Sequence, residues 1–206
     1  MFRTILARSL GMIAVAAILT APPAWAQDSP PVRVRGTIER VEGSIYVVKA
    51  RDGAELKLTL ADNPQIAGIV KASLADIKSG SFVGVTAMPQ ADGSLSALEV
   101  HIFTEAMRGT GEGHYPWDLR AQSTMTNGNV EQIATAVDGR TLTMKYKDGE
   151  KKIFVPADTP IVAYVQGDKS DLKPGAKVFI VAAKQPDGTL QGRAWRVGRD
   201  GVTPPM

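Results

Sequence analysis

The chain of 206 residues contains no cysteine. That excludes disulfides, thiol chemistry and thiolate metal sites together. Histidine is scarce, with His101 and His114 alone. No His-x-His or Met-x-x-Met pattern occurs. There is no Gly-Lys-Ser/Thr after a glycine-rich loop, and no serine or threonine stands in a nucleophile-elbow motif. Beyond residue 26 no apolar run is long enough to span a bilayer. Charge of one sign is lacking too: Arg3 and Arg8 lie in an expected leader, and its removal takes the formal net charge from +3 to +1. Such a chain has no field that would steer nucleic acid. The expected partner is therefore a small ligand or an envelope protein, and the chain reads as non-enzymatic.

What is present begins with that leader. MFRTILARSLGMIAVAAILTAPPAWAQ has a basic start, an apolar stretch from Leu10 to Leu19 and a small-x-small end at Ala24-Trp25-Ala26. This is the pattern of a secretory signal peptide cleaved after Ala26. It predicts a periplasmic or secreted protein with no transmembrane segment in the mature chain. Lacking disulfides, such a protein depends on its apolar core for stability.

The strongest organising feature is an internal duplication. RDGAELKLTLADNP (51–64) matches KDGEKKIFVPADTP (147–160) at a shift of 96. LADIKSGSFVGVTAMPQADGSL (74–95) matches KSDLKPGAKVFIVAAKQPDGTL (169–190) at a shift of 95. Two copies of one supersecondary unit follow. Each reads as short strands between turn signals. Asp52-Gly53 and Asp92-Gly93 supply hairpin turns. ELKLTL puts Leu56, Leu58 and Leu60 on one face. In SLADIKSG, Ser73 caps one helical turn, Asp76 completes a capping box and Gly80 ends it.

Five curved strands with one helical turn predict a small barrel, which removes exposed edges. The expected fold is all-β: two tandem five-stranded OB-like barrels, each with one short helical turn, joined by an irregular connector. The boundaries are 1–26 leader, 27–32 disordered mature N-terminus, 33–104 first barrel, 105–128 connector, 129–198 second barrel and 199–206 tail. The stretch RTLTMKYKDGEKK is more basic than SIYVVKARDGAEL, so one copy is a candidate for divergence towards binding.

On the repeated pattern, above all RGTIERVEG and LKPGAKVFIVAAKQPDGTL, the chain resembles an uncharacterised family of exported Gram-negative proteins. They are built from small OB-like β-barrel domains of unknown function. The resemblance covers most of residues 33–197 and implies fold rather than activity; it brings no catalytic residues. Relatives sharing the connector EAMRGTGEGHYPWDLRAQSTMTN are sometimes labelled metal-transport permeases. That label implies several membrane spans, and this sequence has none.

Two sets of candidate residues crowd the connector. Arg108, His114, Tyr115, Trp117 and Arg120 could bind a ligand, with the aromatic pair stacking on a sugar, peptide or glycan and the arginines meeting an anion. The competing reading inserts Trp117 between the barrels as an anchor, where burial of its large area stabilises their mutual orientation. A copper or zinc site would draw on His101, Met107, His114 and Met125, with Glu105, Glu112 and Asp118 nearby. Alternation in LEVHIF places His101 on a polar, solvated face. Met107 and Met125 read as caps on barrel ends. Trp195 reads as packing, with Arg193 and Arg196 solvated. GTGEG (109–113) reads as connector flexibility, since no helix follows it to cradle phosphate.

Overall fold

A computed structural model describes residues 30–206. The expected leader lies outside the described residues. The described chain is all-β, with twelve strands and three 3-10 turns. In order, the strands are β1 (Val32–Glu42), β2 (Ile45–Ala50), β3 (Glu55–Lys71), β4 (Phe82–Pro89), β5 (Leu95–Ile102), β6 (Gly113–Pro116), β7 (Thr124–Ala136), β8 (Gly139–Tyr146), β9 (Gly149–Pro156), β10 (Ile161–Gln166), β11 (Lys177–Lys184) and β12 (Leu190–Gly198).

Local signals translate directly. Gly53, Gly93 and Gly188 take positive φ in their hairpin turns. The turn Leu74–Asp76 carries the expected cap, with Ser73 N donating to Asp76 Oδ2 at 2.8 Å. Its second-copy counterpart, Lys169–Asp171, repeats this with Asp168 N and Asp171 Oδ2 at 2.8 Å.

The strands close differently from expectation. β1, β2, β3, β12 and β11 form a closed five-stranded barrel, with a parallel seam between β3 and β12. β7, β8, β9, β5 and β4 close a second ring, where β5 and β9 meet in a short parallel seam. Each closure therefore takes three strands from one half of the sequence and two from the other. The expected units at 33–104 and 129–198 do not close on themselves. The barrel core joins Val34, Ile38, Tyr46, Val48 and Leu58 to Leu172, Val178, Ile180, Trp195 and Val197. The ring core joins Val83, Val85, Ala97 and Val100 to Val130, Leu142, Met144, Ile153 and Val155. The reason is physical: alternation and turn residues specify which segment is a strand and which face is apolar. Two near-identical patterns leave open which copy supplies the partner.

Exchange creates a two-fold relation. The end of β3 pairs antiparallel with β10, and Ile69 faces Tyr164, its own repeat equivalent at a shift of 95. Around that pair, Gly68 meets Val165 and Val70 meets Ala163. The parallel seams obey the same shift of 95: Ile66–Trp195 and Ala67–Arg196 on one side answer Ile161–Val100 and Val162–His101 on the other. Near this axis a third apolar cluster of Ile69, Val162, Tyr164, Phe179 and Met206 joins the two closed sheets, with Phe103, Met107 and Trp117 against it.

The connector also differs from expectation. Gly113–Pro116 is a strand paired with β7, and β7 itself starts at Thr124, inside the segment read as connector. The tail is packed, with Met206 1 % exposed and its main-chain oxygen accepting from Arg35 Nε at 2.8 Å.

Candidate functional site

The outer face of the second ring meets the barrel across the axis, and there the buried polar residues gather. Register partners across a sheet share a face. One row runs Glu99, Thr86, Met125, Tyr115, and the next runs His101, Gly84, Asn127, Gly113. His101 thus lies on the expected face. That face is not solvated: His101 is 3 % exposed and Glu99 fully buried. Tyr164 on β10 covers it, its ring stacked on the imidazole with centroids 5.3 Å apart.

Hydrogen bonds order this face. Thr86 Oγ1 donates to Glu99 Oε1 at 2.5 Å, and His101 Nδ1 lies 3.2 Å from Glu99 Oε2. Gly84 makes room for the ring. A Cβ there would stand 2.0 Å from His101 Nε2 and 2.5 Å from Asn127 Oδ1. Asn127 Nδ2 donates to the main-chain oxygens of Thr110 and Gly111 at 3.2 and 3.1 Å, tying the GTGEG loop to β7. Those glycines serve a tethered loop, and a Cβ at Gly111 would stand 3.0 Å from Asn127 Nδ2 and 3.2 Å from the Tyr115 hydroxyl.

Between this face and the barrel lies a cavity of about 140 Å³. Phe103, Tyr115, Trp117, Tyr164 and Phe179 supply aromatic walls; His101, Asn127 and Arg196 supply polar ones. Two buried polar atoms on its lining have no partner: the acceptor Asn127 Oδ1 and the donor Trp117 Nε1. Arg196 is 7 % exposed, not solvated as its sequence setting suggested. Its Nη1 donates to the main-chain oxygens of Gln65 and Trp195 at 3.3 and 3.4 Å. No carboxylate among the described residues pairs with it within 4.0 Å. Its guanidinium lies 5.2 Å from the Tyr164 ring centroid. Burial pushes the Tyr164 phenol up to about 12, so it stays protonated and able to donate at neutral pH.

The candidate ligand residues are only partly brought together. Tyr115 and Trp117 line the cavity. Trp117 also packs against Phe179, with the Arg33 guanidinium 4.1 Å from its ring centroid, so it joins the two closures as an anchor would. Arg108 is committed elsewhere, bonded to Glu105, the Asn129 side chain and Gly80 O. Arg120 lies on the exposed loop. His114 shares a row with Thr126, Val85 and Val100, the opposite face of the sheet from His101. Its Nδ1 is 2.8 Å from Thr126 Oγ1, and burial, with Lys151 nearby, holds its imidazole below the ordinary range.

The proposed metal ligands do not converge. His101 and Met125 line the cavity, whereas His114 faces the other way and Met107 packs on the axial cluster. Met125 is 2 % exposed beneath Thr86, not at a barrel end. Among the described residues no group of three or more His, Asp and Glu side chains could hold a metal ion. Glu105 is bonded to Arg108 and Asp118 to Arg35, which keeps the carboxyl of each below its ordinary range.

Sequence reasoning missed Gly84, Thr86, Asn127 and Tyr164. One signal could have found the region. At a shift of 95, Thr86, Glu99 and His101 correspond to Val181, Ala194 and Arg196. A polar–apolar exchange inside an otherwise matching strand pattern marks where two copies stopped being equivalent.

A larger groove of about 720 Å³ lies between the turn at Leu74 and residues 202–205. It is mostly apolar, and among the described residues Thr159 Oγ1 is its one buried polar atom without a partner. No protein-family model matches the chain, and no curated protein or solved structure gives a match.

Proposed function

We propose that the chain is a non-enzymatic, exported binding protein of the periplasm, with its ligand site in the cavity between the two closed sheets. In this reading both closures are OB-like barrels that have exchanged their last two strands. The order first–second–third–fifth–fourth in each, closed by a parallel seam, supports it. The resemblance to exported Gram-negative proteins with tandem OB-like domains belongs to the same proposal, as does a mature chain starting after Ala26. Fold alone does not define a ligand. The observation that carries the reading is that two residues lining the cavity, Asn127 and Trp117, each hold a buried polar atom, Oδ1 and Nε1, without a partner. Leaving such groups unsatisfied costs about 1–3 kcal/mol each, and a ligand that bonds them recovers it. A copper or zinc site would need His114 beside His101, which lies on the other sheet face.

Native mass spectrometry of protein released from cells under mild conditions tests this. The expected result is a stoichiometric small-molecule adduct that leaves on denaturation. A bare polypeptide mass, together with no melting shift across a panel of small polar metabolites, would contradict it.

A further inference from the structure

The chemistry of the cavity wall narrows the ligand, taking the binding reading above as its basis. We propose that the cavity takes a small carboxylate that also carries a hydroxyl or amino donor, of the size of a two- to four-carbon hydroxy or amino acid.

Three observations carry it. Arg196 is a buried cation without a carboxylate partner; its Nη1 is engaged by main-chain oxygens, and its guanidinium also lies beside Tyr164. Trp117 Nε1 is a second donor, buried and unused. Guanidinium and indole N–H groups are matched by the two oxygens of a carboxylate, which accept charge-assisted bonds. Asn127 Oδ1 is the complement: an unused acceptor on a side chain 5 % exposed. Its amide orientation is set, because Nδ2 already donates to two loop carbonyls. It asks the ligand for a donor.

Size and polarity agree. A cavity of about 140 Å³ matches a two- to four-carbon acid more closely than a substituted sugar ring or a peptide. The walls of Phe103 and Phe179 suit a short carbon body. Glu99 does not line the cavity; its oxygens bond Thr86 and His101. Asp118 is bonded to Arg35 at 2.8 Å.

The repeat relation points the same way. Arg196 is the equivalent of His101, and the pair Ala67–Arg196 mirrors Val162–His101 across the axis. A symmetric duplication would place like groups on both sides. Here the barrel contributes the cation, and the ring contributes the acceptor. An asymmetric ligand, anionic at one end and a donor at the other, fits that division.

The test uses the mature protein and isothermal titration with sodium lactate, glycine and sodium chloride, with Trp fluorescence as a second readout. The expected result is saturable binding of lactate or glycine but not chloride. Trp117→Phe keeps an aromatic ring but removes the pyrrole half with its N–H, and is expected to weaken binding about tenfold. Asn127→Asp keeps the size but puts an anion beside the ligand, and is expected to weaken lactate more than glycine, whose ammonium it can pair. Circular dichroism checks that both variants fold. If lactate and glycine fail while a native adduct still leaves the cavity on Trp117→Phe, the carboxylate inference falls and the binding reading stands. If no adduct and no binding is found, both fall. Binding that Trp117→Phe and Asn127→Asp leave unchanged would place the ligand elsewhere and overturn the inference.

Discussion

Gly84 sits in the middle of a strand between two valines, where glycine ordinarily weakens a sheet. Its missing side chain is occupied by the His101 imidazole and the Asn127 carboxamide. Gly84→Ala is therefore expected to lower stability by about 1–3 kcal/mol through overpacking. Urea denaturation read by far-UV circular dichroism checks this; an unchanged midpoint would mean that the imidazole does not lie over β4. Trp195 gives the contrasting case. It is fully buried in the barrel core, and its indole N–H donates to Gly192 O at 3.1 Å. Trp195→Ala is expected to cost about 3–5 kcal/mol in the same assay. At this scale the sequence was readable where one face decides: Leu58 and Trp195 are buried as their alternation and size implied. It was not readable at His101 and Arg196. Alternation says that these leave their own barrel interior, but not that another sheet covers the face they reach.

Among elements, the turn Lys169–Asp171 shows how local capping is tied to tertiary structure. Arg199 at the end of β12 donates to Asp171 Oδ2 at 2.8 Å, and Asp171 also accepts from Asp168 N. The Arg199 guanidinium, followed by the main-chain bond, keeps the Asp171 carboxyl below its ordinary value. A carboxyl depressed in the folded state contributes stability above the unfolded value, about 3.9 for Asp, and loses it as pH falls through the lower folded value. Asp171→Asn is expected to destabilise by about 1 kcal/mol at neutral pH, a modest figure because the pair is partly solvated. The difference from wild type should shrink below pH about 4 and vanish once the folded carboxyl is protonated. Urea midpoints across that range would show it, and a pH-independent difference would contradict the assignment. The cap itself was legible, since Ser73 with Asp76 and Asp168 with Asp171 hold the expected spacing. The arginine was not, because residue 199 meets the turn only after β12 has returned from the far side of the barrel. The connector was half legible: its glycines mark a loop, but Gly113–Pro116 becomes a strand only because β7 offers it an edge.

For the molecule as a whole, strand exchange makes the two halves interdependent. Neither apolar core can form from one half, so unfolding is expected in a single cooperative transition, with circular dichroism and Trp fluorescence coincident. Two separated transitions would indicate independent units. The duplication, the all-β class and most strands' approximate limits, those of Gly113–Pro116 excepted, could be read from the sequence; the partner of each strand could not, since equivalent edges compete on equal terms. A chain without cysteine allows one decisive experiment on the exchange. Thr37 on β1 and Lys177 on β11 are register partners 140 positions apart in sequence. The double variant Thr37→Cys/Lys177→Cys, oxidised as a dilute monomer, should form an intramolecular disulfide that speeds migration on a non-reducing gel and is reversed by reduction. Two free thiols in a folded, oxidised monomer would show that β1 and β11 are not neighbours, and that each half closes on itself.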